Sequence, residues 1–187
     1  MPKYIAFLRA INVGGHAVTM DHLRKLFESM GFSNVETFIA SGNVLFDAES
    51  KSAAALEQQI ETKLKDALGY AVAAFIRTGA ELKEIANYKP FPQARLHAAA
   101  AFNIAFFKEP PDEKSKQRVM ALRTGIDDFH LRGRELYWLC RKKQSESTFS
   151  NAVLEKTLGK PSTIRDAATI QKIAVKRWDR ARISPRG

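Results

Sequence analysis

The sequence has a single cysteine, Cys140, in 187 residues, so no internal disulfide can form and a disulfide-stapled scaffold is excluded. No apolar run reaches the roughly 18 residues a membrane-spanning helix needs, so no membrane partner is expected. Met1 leads into a polar and then strand-like segment without the apolar core of a secretory signal, and a reducing cytoplasm is the expected compartment. His16, His22, His97 and His130 are scattered, with neither HExxH nor CxxC spacing, so no metal site is expected. Neither GxGxxG, nor a Walker loop, nor a GxSxG elbow occurs, and no cofactor is implied. Cys140 ends an apolar run and reads as a small buried hydrophobe rather than a nucleophile.

What is present is the ordinary balance of a folded globular chain, 45% hydrophobic and 27% charged. The net charge is +10, and it is unevenly placed. Met1 to Arg77 carries eight basic and eight acidic residues, so the whole excess lies beyond Arg77; from Leu131 onward there are 14 basic against five acidic. Such asymmetry points to a basic module or tail and to anionic partners, without fixing a chemistry.

Tyr4–Leu8 is apolar throughout and reads as a central strand. After a glycine loop, Thr19 is placed to cap a helix whose Leu23, Leu26, Phe27 and Met30 form one apolar stripe, with Gly31 at the left-handed stop. The runs Val35–Ala40 and Val44–Phe46 flank Ser41-Gly42-Asn43, a hairpin signal. Leu56, Ile60, Leu64 and Leu68 mark a second helix closed by Gly69, and Ala71–Ile76 a fourth strand. The order to Arg77 is therefore β-α-β-β-α-β, the ferredoxin-like plait. A helix from Gly79 to about Asn87 precedes Pro90-Phe91-Pro92, where a boundary is placed.

Beyond it, Ala98–Phe107 reads as strand, Asp112–Leu122 as helix, and Phe129–Arg132 with Glu135–Cys140 as a hairpin about Gly133. Ser147–Leu158 is a helix, Thr163–Arg165 a short strand and Ala167–Trp178 a last helix. The order repeats, so the fold class is α+β: two plait domains, about residues 1–87 and 93–187, the second basic and carrying an extra C-terminal helix. Tyr4–Leu8 and Val44–Phe46 are apolar on both faces, so their sheet is expected to be covered twice, by the other half or another subunit.

Three functional readings follow. The loop at Gly14-Gly15 enters a helix N-terminus, where free N–H groups favour an anion; Arg9, Asn12 and His16 flank it, and Ser41 and Asn43 of the hairpin complete a candidate site for a small phosphate- or carboxylate-bearing ligand, held without catalysis. Alternatively, Arg132, Arg134, Arg141, Lys142 and Lys143, set beside Tyr137 and Trp138, with Arg177, Arg180 and Arg182 in the tail, could contact nucleic acid. Phosphoryl or acyl-phosphate chemistry at the first loop is the third reading, by fold-level analogy. Oligomeric state is left open.

The run Tyr4–His16, Leu23–Phe27, Gly31-Phe32 and Ser41–Asn43 resembles the domain-of-unknown-function 1697 family of bacterial cytoplasmic proteins. Arg77–Leu82, Pro90–Pro92, Ser150-Asn151, Leu154-Glu155, Leu158-Gly159, Thr163 and Arg165 are similar to its later motifs. The resemblance implies two ferredoxin-like plaits and no established activity. The chain departs from the family's pattern at Ala10, where a glycine is common, and at Asp166-Ala167, where asparagine and tryptophan are usual.

Overall fold

The computed structural model describes residues 1–12, 14–39, 42–49 and 51–178, with side chains through Val175. The chain divides into two compact units, Met1–Glu84 with the helical residues from Ile173, and Ile85–Lys172. Each contains one four-stranded antiparallel sheet, and each runs through the order β-α-β-β-α-β.

In the first unit, β1 (Lys3–Arg9), α1 (Met20–Ser29), β2 (Ser33–Thr37), β3 (Asn43–Asp47), α2 (Ala53–Leu68) and β4 (Ala73–Thr78) form a sheet in the order β2-β3-β1-β4. The caps form where side-chain chemistry places them: Thr19 accepts from the His22 amide, Ser52 from the Ala55 amide, and Gly69 closes α2 at φ 82°. Tyr4, Ala6 and Leu8 face α1 and α2 in one core with Phe27, Phe46 and Ile60. The opposite face is as dry: Ile5, Phe7, Leu45 and Phe75 are each at most 2% exposed, in keeping with strands apolar on both sides.

The edge strand β4 has its outward amides taken by carboxylates. Glu61 accepts from Ala74 N at 2.9 Å, Glu57 from Ile76 N at 3.1 Å and Glu81 from Thr78 N at 2.8 Å. Glu57 and Glu61 are one turn apart on α2, so a single helix face closes part of an edge that would otherwise present free donors.

The chain continues through α3 (Gly79–Asn87), α4 (Gln93–Ala98), β5 (Ala101–Phe106), α5 (Glu113–Met120), β6 (Asp127–Arg132), β7 (Glu135–Cys140), α6 (Asn151–Leu158), β8 (Thr163–Asp166) and α7 (Ala167–Trp178). The second sheet has the order β6-β7-β5-β8. Its helix-facing core holds Ala105, Phe129, Leu136, Trp138 and Phe149. The other face carries Phe102, His130 and Tyr137, against which Tyr88 and Phe91 pack. The two last strands match in detail. Arg77 precedes Thr78, which caps α3, and Arg165 precedes Asp166, which caps α7; each arginine donates Nη1 to the preceding carbonyl, of Ile76 and Ile164.

Three expectations are corrected. β2 spans Ser33–Thr37 rather than Val35–Ala40, because Asn34 at φ 49° and a register shift start it early and Ile39 turns left-handed at φ 57°. Asn43 is not a turn residue but the first residue of β3, paired with Phe7. The strand expected from Ala98 begins at Ala101, since Ala98 is the last residue of the helix Gln93–Ala98, a run of good helix formers behind Pro92.

Candidate functional site

The loop between β1 and α1 is pinned from within. The Ile11 carbonyl accepts the Tyr70 hydroxyl at 2.7 Å, and Asn12 Oδ1 accepts the Val18 amide at 2.7 Å, closing the loop across six residues. The His16 ring stacks on Tyr70, centroids 3.9 Å apart and planes at 22°. Between these anchors Gly14 and Gly15 take φ values of 63° and 82°, are exposed, and have nothing within 4 Å of where a Cβ would stand. The exposed backbone is thus held by its neighbours while its own surroundings stay open.

Arg9 is the last residue of β1, half-buried and opposite Ala73. It alternates with Phe7, which pairs with Asn43, so Arg9 and Asn43 lie on one face of the sheet. The hairpin abuts the loop: Leu8 N donates to Gly42 O at 2.9 Å, and a Cβ on Gly42 would stand 3.0 Å from Ile11 Cγ2. Asn43 itself is 1% exposed and its Nδ2 donates to Phe38 O at 3.1 Å, so its amide serves the hairpin. Ser41 lies outside the described residues. Two non-glycine residues in this region, Ala10 at φ 59° and Ile39 at φ 57°, hold the left-handed conformation, which costs of order 1 kcal/mol or more each.

The structure therefore brings Arg9, Asn12, Gly14, Gly15 and His16 to one end of the first sheet, with the hairpin beside them. Sequence reasoning missed Tyr70, the residue on which His16 rests. Its position just after a helix-closing glycine carries no local signal of that role.

The basic residues that the sequence nominates around β6 and β7 are not gathered at one place. Arg132 stacks its guanidinium 4.0 Å over the Tyr88 ring, and Arg134 donates to Lys108 O at 3.4 Å, at the hairpin end of β7. Arg141, Lys142 and Lys143 are exposed at the opposite end, about 17 Å away along a six-residue strand. Tyr137 and Trp138 are each 1% exposed, one on either face of the sheet, so neither ring offers a base a surface to stack on. The Arg177 side chain, Arg180 and Arg182 lie outside the described residues.

Of the groups with altered acidity, Cys140 is fully buried, and burial pushes its thiol up. Asp127 is buried too; burial opposes its charge, but hydrogen bonds from Trp138, Thr124 and Ser147 outweigh this and hold its carboxyl below the usual range. No helix of the described residues is long and apolar enough to cross a membrane.

The sequence profile of a family described as a protein of unknown function, DUF1697, matches residues 1–137. No curated protein matches the chain. Among solved structures, a conserved bacterial protein from Streptococcus pneumoniae is similar, with a TM-score of 0.74 and 25% identity over 94% of this chain and 98% of that one.

Proposed function

Because the chain belongs to the DUF1697 family, whose description names no activity, we propose its function from the site alone: non-catalytic binding of a small anionic ligand, bearing phosphate or carboxylate, at the loop between β1 and α1. The observation that carries this reading is the open, left-handed Gly14-Gly15 segment held between internally bonded anchors. It leads to the N-terminus of α1, where orphan amides and the helix dipole favour negative charge. Arg9 supplies the cation, and its guanidinium suits a planar, two-oxygen partner. His16 adds a ring already oriented by Tyr70. The Asn43 amide, which phosphoryl transfer here would require as a donor, is spent on Phe38 O, and this favours holding a ligand over transforming one.

Thermal-shift titration with nucleotides, sugar phosphates and dicarboxylates tests the reading. A rise in unfolding temperature that Arg9→Ala diminishes is the expected result. No shift with any of them, or a shift that Arg9→Ala leaves intact, overturns it.

A further inference from the structure

A second concentration of cations lies in the unit Ile85–Lys172, and of its arginines the sequence singled out Arg141 alone. Arg95 of α4, Arg123 and Gly125 from the connection between α5 and β6, Asp128 of β6 and Arg141 beyond β7 line a pocket of about 310 Å³. Its floor is well fixed. Arg141 N donates to Ile126 O at 2.8 Å, so the backbone past β7 is fastened to the turn before β6. Thr124 Oγ1 accepts from the amides of Ile126 and Asp127 and donates to the Asp127 carboxylate at 2.8 Å.

The charges in this pocket are not balanced among themselves. Asp128 accepts from Arg95 Nη2 at 2.8 Å and lies 3.8 Å from Arg123 Nη1, so one carboxylate positions two guanidinium groups. Asp127 is already saturated by Trp138, Thr124 and Ser147. A guanidinium carries five donors. Arg95 spends one on Asp128, Arg123 spends Nε on Met120 O at 3.3 Å, and the Arg141 side chain makes no hydrogen bond or ion pair among the described residues. Three cations thus converge on one concavity with most of their donors unspent and one accessible carboxylate between them, an arrangement whose self-repulsion a bound anion relieves.

We propose that this pocket binds the phosphoryl group of a small molecule, as a phosphate monoester or a pyrophosphate, independently of the loop between β1 and α1. Planar forks from several directions suit a tetrahedral, multiply charged oxyanion better than a single carboxylate. The volume is at the low end for ligand pockets, which favours a compact ligand. A nucleic-acid strand needs a longer track of cations with stacking surfaces, and the neighbouring rings Tyr137 and Trp138 are internal.

Isothermal titration of the full chain with pyrophosphate, beside a ten-nucleotide oligothymidylate, decides the matter. Pyrophosphate is expected to bind, Arg141→Ala and Arg123→Ala each to weaken it about tenfold or more, and Lys65→Ala, which removes an exposed cation on α2, to leave it unchanged. Both pocket arginines are exposed, so unaltered unfolding temperatures are expected to accompany the loss. Absence of pyrophosphate binding, binding indifferent to both pocket variants, binding abolished by Arg9→Ala, or capture of the oligonucleotide in its place would each overturn the proposal.

Discussion

The amide of Leu8 donates to the carbonyl of Gly42 at 2.9 Å, which carries the pairing of β1 with β3 one residue past Phe7 and Asn43 and brings the hairpin against the loop that leaves β1. The approach leaves no room for a side chain: a Cβ on Gly42 would meet Ile11 Cγ2 at 3.0 Å and Leu8 Cβ at 3.1 Å, at a φ of 77°. Gly42→Ala is therefore expected to destabilise the protein by about 1–3 kcal/mol, from strain and overpacking together. Gly15→Ala, with a φ of 82° but open space, is expected to cost only the backbone part, about 1 kcal/mol. Denaturant titration of the two variants checks the order.

Tyr70 ties the loop down twice, through its hydroxyl to Ile11 O and through its ring to His16. Tyr70→Phe removes only the hydrogen bond and is expected to cost about 1 kcal/mol. Tyr70→Ala removes both anchors, and hydrogen exchange over residues 11–19 is then expected to quicken while α2 keeps its protection. Unchanged exchange in that loop would show that Tyr70 does not hold it.

Glu57 is 4% exposed and its carboxylate accepts the Ile76 amide on the edge strand β4. Glu57→Ala leaves that amide buried without its acceptor, at a cost of about 1–3 kcal/mol. Glu57→Gln keeps an acceptor oxygen and is expected to recover much of the loss, which urea unfolding measures.

The Asp127 carboxylate gathers Trp138 Nε1, Thr124 Oγ1 and Ser147 Oγ, each at 2.8 Å. Burial alone would raise its pKa, but these donors lower it below the ordinary 3.8. A carboxyl held lower in the folded than in the unfolded state binds fewer protons when folded. Its stabilisation is therefore present above pH 3.8 and is lost as pH falls through the folded value. Asp127→Asn is expected to cost about 1–3 kcal/mol at neutral pH and to flatten the acid limb of the stability curve. An acid limb as steep as that of the unaltered protein would contradict the assignment.

Much of the fold was legible because the interactions that signal it are short in sequence. Thr19 reaches the amide three residues on, Ser52 does the same, and Gly69 needs only its own φ, so helix limits were readable from neighbours. Glu135–Cys140 emerged with its limits intact for the same reason, a β-prone run beside a glycine turn. The misreadings fall where local cues compete. Ala, Leu and Arg in Gln93–Ala98 favour helix although the stretch adjoins a true strand, and Ile39, a strand former by its branching, is turned left-handed by the closing bonds between Phe38 and Asn43.

Element order, the doubled plait and the concentration of charge beyond Arg77 were written in the linear chain, because periodicity, caps and composition act over a few residues. The company each side chain keeps was not. Antiparallel register turned Asn43 inward and set Gly42 beneath Ile11; a helix closure laid Tyr70 under His16. The pairing of β6 with β7 brought Arg141 beside Arg123, at residues 18 apart in the chain. Contacts of that kind depend on which strands pair and in which register, a property of the folded sheet that no short stretch of residues encodes.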